Sequence, residues 1–177
     1  MSLKAMRSLG EYVGTRPGRK LVIWVSPGWP LLSGPNLQLS GKDLQQSFNS
    51  INSIVEFSTG LRQARVTIYS LDPLGTSDFG WSRHYEAFVK GVSFPSRTVP
   101  GNLGLQVLAV QTGGRVFTST NDITGAIADC AADADAYYVL SFDGALADQA
   151  NEYHAIGVTV DRPGVRARTR TGYYAQR

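Results

Sequence analysis

The chain is poor in the residues that hold metals and cross-links. Among its 177 residues there is one cysteine, Cys130, and two histidines, His84 and His154. A single cysteine excludes an internal disulfide and a cysteine-based metal cluster. The two histidines are too few and too widely spaced to predict a metal site. No apolar run approaches the roughly 18 residues of a membrane-spanning helix. The opening MSLKAMRSLG lacks the apolar core of a signal peptide, which reads either as a cytoplasmic protein or as a piece of a longer one. Charge is sparse at 18% of residues, and the net value of +3 is too small to indicate a nucleic-acid binder. Internal repeats and low-complexity segments are also missing.

What remains is an ordinary globular composition, 42% hydrophobic, in a length that suits one domain, residues 1–177. Leu3, Met6, Leu9 and Val13 form one helical stripe, ended by the breakers of GTRPGRK. LVIWV then reads as a parallel strand over 20–26, apolar on both faces. Ser40-Gly-Lys-Asp43 opens a helix running to about Leu61, with Leu44, Phe48, Ile51 and Val55 facing inward. ARVTIYSLD gives a second strand at 65–71 and stops at Asp72-Pro73. Residues 73–101 form a long aromatic excursion, with a short helical piece at 83–90. A helix over 102–112 is stopped by Gly113-Gly114. Strand RVFTST follows, and then a helix opened by Asn121-Asp122, with Ile123, Ile127, Cys130 and Ala131 predicted to face inward. Asp133 and Asp135 read as its solvated end.

After residue 135 the pattern changes. AYYVLSF, YHAIGVTVD and GVRARTRTGYY read as strands, with 153–161 and 165–174 paired as a hairpin about Asp161-Arg-Pro-Gly164. In the last strand Arg166, Arg168 and Arg170 share one face. That row is expected to be the wet side of an outer strand, guarding it against aggregation. Tyr173 and Tyr174 are candidate anchors. The predicted class is therefore α/β: a mostly parallel sheet with helices on both faces, built from βα units over 1–135, plus an antiparallel extension over 136–177.

Four ordered blocks, RPGRKLVIWVSPGWP, ARVTIYSLDPLG, LAVQTGGRVFTSTNDITGAIADCAADADAYYVLSF and VTVDRPGVRARTRTGYY, resemble the carboxyl-terminal half of the von Willebrand factor A-related (vWA) proteins of Acidobacteria. The resemblance implies a Rossmann-like vWA sheet, a protein partner bound at its carboxyl edge, and an extracytoplasmic or secreted location. It also implies a divalent cation, but this chain departs from the family's pattern there. The family's Asp-x-Ser-x-Ser is missing. The place of its Thr-Asp-Gly reads Ser26-Pro27-Gly28. Magnesium is held through carboxylates and water, and Pro27 offers neither a side-chain oxygen nor an N–H. The expectation is a binding or scaffolding module without a complete metal site, a metal or a cofactor. Its contact residues would be Ser26, Pro27, Gly28, Trp29, Asp72, Phe79, Trp81 and Tyr85, in the loops after the first two strands and in the aromatic excursion. If the family's first strand is missing, 20–26 becomes a bare apolar edge, and the further expectation is either a homodimer through it or an amino-terminal helix folded back to cover it.

Two catalytic readings are weaker. Ser26, Asp72 and His84 follow the chain order of an α/β-hydrolase triad, so a degenerate hydrolase using Ser26 is the alternative. The nucleophile elbow Gly-x-Ser-x-Gly is absent, however, and Pro27 removes the N–H that would complete an oxyanion hole. GPNLQLSGK at 34–42 fails as a phosphate loop, because six residues separate its glycines and Asp43 stands where Ser or Thr is needed.

Overall fold

A computed structural model describes residues 2–27, 51–74, 81–94, 97–98, 100–118, 120–144 and 146–175. It is a mixed α/β structure. In chain order the elements are α1 (Ser2–Gly14), β1 (Lys20–Val25), α2 (Ile51–Gln63), β2 (Val66–Leu71), α3 (Leu105–Gln111), β3 (Val116–Phe117), α4 (Ile123–Asp135), β4 (Glu152–Ala155) and β5 (Gly172–Ala175). Two 3₁₀ helices, Trp81–Phe88 and Pro100–Leu103, lie between β2 and α3. The predicted start of α2 at residues 40–50, with Leu44 and Phe48, lies outside the described residues.

The first three strands form a parallel sheet in the order β1-β2-β3, with Lys20 opposite Val66 and Ser70 opposite Val116. Parallel neighbours need long crossovers, and the helical segments supply them. Alternation along β2 divides the molecule into layers. Val66 and Ile68 enter a core with Met6, Ile54, Phe57, Leu61, Leu105, Leu108 and Tyr174, so α1, α2, α3 and β5 cover that face. Tyr69 points to the other face, where its hydroxyl donates to Asp133 of α4.

β2 is buried along its whole length, as an apolar parallel strand should be. β1 has the same kind of sequence but is only half-buried, and its last residue, Val25, is exposed. The difference is positional: β2 has a strand on each side, whereas β1 has one only on the β2 side among the described residues. The α1 stripe is as predicted, with Met6 buried and Leu3, Leu9 and Val13 packed against the core. α2 ends sharply because Arg65 adopts a left-handed conformation (φ 52°), which turns the chain directly into β2.

Several expectations are corrected. In α4 the buried residues are Ala126 and Cys130, while Ile127 and Ala131 are exposed. α4 covers only part of the sheet, so its buried stripe is narrower than its apolar composition. The tail does not form three paired strands. β4 and β5 pair antiparallel over four residues, Glu152 opposite Ala175 and Ala155 opposite Gly172, as a ribbon separate from the main sheet. This ribbon is the open end of the expected hairpin of 153–161 with 165–174; past the Ile156 N–H bond to the Thr171 carbonyl, no ladder continues toward the turn among the described residues. AYYVLSF is not a paired strand either, since residues 137–142 run exposed with no ladder among the described residues. Tyr174, not Tyr173, is the buried anchor, and its ring meets Tyr153 edge-on at 5.2 Å.

Candidate functional site

Parallel pairing brings the carboxyl ends of β1 and β2 side by side. The Ser26 N–H donates to the Leu71 carbonyl at 3.0 Å, and the Asp72 N–H donates to the Phe117 carbonyl at 2.9 Å. The two loops therefore leave the sheet as neighbours, the position in which open α/β sheets place binding sites. Pro27 is exposed there and Ser26 is half-buried.

Asp72 is buried, and its Oδ1 accepts the Leu74 N–H at 2.9 Å. This is an Asx turn, in which the carboxylate folds its own loop. No group of three or more His, Cys, Asp or Glu that could hold a metal ion occurs among the described residues. Gly28, Trp29 and Phe79 lie outside the described residues. Trp81 and His84 belong to the first 3₁₀ helix, where only their backbone is described, and Tyr85 is half-buried in it. Of the predicted contact residues, the structure thus brings Ser26, Pro27 and Asp72 to one edge.

The opposite end of the sheet holds a polar network that sequence reasoning missed. Asp133 accepts from the Tyr69 hydroxyl at 2.7 Å and pairs with the Arg168 guanidinium. Arg19 donates to the Asp133 carbonyl at 3.0 Å and to Thr67 Oγ1 at 3.3 Å. Arg168 also donates to the Gly113 carbonyl at 2.9 Å. Asp133 is therefore not a solvated helix end. It sits where α4 carries its negative dipole, and two arginines offset both charges. Burial, followed by the hydrogen bond to Asp133 and its charge, pushes the Tyr69 phenol above its ordinary value. Burial likewise raises the Cys130 thiol.

Arg170 departs furthest from expectation. Its guanidinium donates to the Val66 carbonyl at 2.7 Å and to the Leu61 carbonyl at 3.4 Å. Burial, then the charges of Arg62 and Arg19, lowers its pKa to about 10. The arginine row is not simply a wet face, because Arg168 and Arg170 fasten an unladdered tail to backbone carbonyls. Gly113 permits the close approach. Its φ is +84°, and a Cβ there would lie 3.0 Å from the Thr169 carbonyl carbon. The alternating arginines were visible in the sequence, but their inward direction was not, because it depends on where the tail crosses the sheet.

A concavity of about 530 Å³ is an open groove between α1 and α2 with Met6, Phe57, Leu61 and Ala64 among its lining residues. It lies away from the carboxyl edge. Comparison with protein families, curated proteins and solved structures finds no match to this chain.

Proposed function

We propose that this chain is a protein-binding or scaffolding module of Rossmann-like vWA type, without enzymatic activity, that engages its partner at the carboxyl edge of the sheet without a complete metal-ion-dependent adhesion site. The observation that carries this reading is the state of Asp72. Among the described residues, the carboxylate at the paired ends of β1 and β2 is that of Asp72, buried and bonded to the Leu74 N–H, and Pro27 stands where the resemblance would place an acid. An edge built this way offers neighbouring loops rather than a cation bridge. The four-block sequence resemblance supplies the vWA part of the proposal, and the parallel order β1-β2-β3 is compatible with it.

The test is affinity capture on the immobilised chain from an extract of the producing organism, in parallel with magnesium and with a chelator. The reading expects the same protein to be retained in both arms and to be lost with Pro27→Arg, a change at an exposed position. Retention only in magnesium contradicts it. Turnover of a simple ester that disappears in Ser26→Ala would replace it with the hydrolase alternative.

A further inference from the structure

Among the described residues, β1 is paired on one side only. The Lys20 N–H bonds to Arg65 and the Ser26 N–H to Leu71, so the even-numbered residues of this strand aim their backbone groups at β2. Leu21, Ile23 and Val25 consequently aim theirs away from the sheet, where no strand pairs with them among the described residues. Natural edges are usually guarded by charge, proline or a bulge. Leu21-Val-Ile-Trp-Val25 has no such guard and carries apolar side chains toward both faces, the composition of a strand with neighbours on each side.

The same chain holds a strand-like segment that joins no ladder among the described residues. Tyr137-Tyr-Val-Leu-Ser-Phe142 is rich in strand-forming residues. Tyr138 is 95% exposed, Leu140 71% and Phe142 62%. Exposed apolar residues in such a continuous run mark an interaction surface. The run starts at the amino end of the sheet, where the Tyr137 ring centre lies 5.5 Å from the Arg19 guanidinium, and reaches β5, where the Phe142 ring lies 5.9 Å from that of Tyr173.

We infer that two copies of this chain associate by strand exchange, residues 137–142 of each copy adding to the outer side of β1 of the other. Both segments begin at the amino end of the sheet, where Tyr137 meets Arg19. A two-fold axis there lets both additions form together, giving a closed dimer rather than an open fibre. Main-chain bonds to Leu21, Ile23 and Val25 supply the pairing, and Val139, Leu140 and Phe142 supply apolar burial. This surface is distinct from the loops around Ser26 and Asp72, so its failure leaves the proposed function untouched.

The experiment measures mass by sedimentation and light scattering across a concentration series, with hydrogen exchange followed on the same samples. The inference expects a dimer whose formation protects the amides of Leu21, Ile23 and Val25. The exposed double change Val139→Lys, Leu140→Lys should weaken dimerisation by at least about tenfold while leaving the circular dichroism spectrum unchanged. A single Val139→Pro change provides a second route to the same loss. A monomer at every concentration overturns the inference. So does a dimer that survives both variants, or one that leaves the three β1 amides unprotected.

Discussion

The Arg170 guanidinium donates to the Val66 carbonyl across 2.7 Å, at the point where β2 extends beyond β3. β3 pairs only with Ser70 and Leu71, so the first part of β2 needs other partners on that side. Thr112 Oγ1 accepts the Ile68 N–H at 2.9 Å, and Arg170 takes the Val66 carbonyl. Two side chains thus finish what a longer strand would have done.

Arg170→Met keeps most of the side chain's length but leaves the Val66 and Leu61 carbonyls without their donor. A hydrogen bond from a charged donor is worth about 1.5–3 kcal/mol, and part of that is returned because a buried charge is also removed. The expected net loss is about 1–2 kcal/mol, read from chemical denaturation. Arg170→Lys should fall between the two: both bonds leave one terminal nitrogen of Arg170, which an ammonium can replace as a donor only from a shorter side chain.

Alkaline titration separates the tyrosines. Tyr69 and Tyr174 have raised phenol pKa values, chiefly from burial, whereas Tyr138 is almost fully exposed. Above pH 10 the unfolded chain releases phenolic protons that the folded chain retains. The stability these two groups supply is therefore complete below pH 10 and is lost as pH rises through their folded values. Arg170 acts in the opposite direction: its lowered pKa means that burial of its charge is costly below about pH 10, and the cost falls above it. Absorbance at 295 nm should show a late class of phenols, Tyr69 and Tyr174, that ionises above the ordinary tyrosine value. Tyr69→Phe and Tyr174→Phe should each remove one member of the late class. A single common transition would contradict this placement.

Two helical glycines face open space. A Cβ at Gly10 or at Gly60 would meet nothing within 4 Å, as expected beside the groove between α1 and α2. Replacing an interior helical glycine with alanine is worth roughly 0.5–1 kcal/mol. Gly10→Ala and Gly60→Ala should each raise the denaturation midpoint by that equivalent. Gly114→Ala should destabilise strongly, because its Cβ would run into the Ile68 carbonyl oxygen.

The parallel core was legible because it is written in periodicity. The continuous apolar runs of β1 and β2 and the Met6 stripe of α1 need no distant partner to be recognised. The tail was not legible, because strand composition describes a residue's preference and not whether a neighbour is present. Residues 137–142 and 165–171 read as strands and carry no ladder. The Asp133, Tyr69 and Arg168 cluster joins positions far apart in sequence, so no local pattern could announce it. At the carboxyl edge, Pro27 was readable as a residue that offers neither a side-chain oxygen nor an N–H. The turn that occupies Asp72 was not, since it requires knowing that Leu74 folds back over the strand end.

The central claim is that this chain's sheet edge does not depend on a cation, and manganese binding tests it most directly. Electron paramagnetic resonance of manganese(II) titrated with the protein should show only the signal of the free ion, with Asp72→Asn behaving the same. Stoichiometric loss of that signal, reversed by Asp72→Asn, would place a metal beside Pro27 and contradict the account.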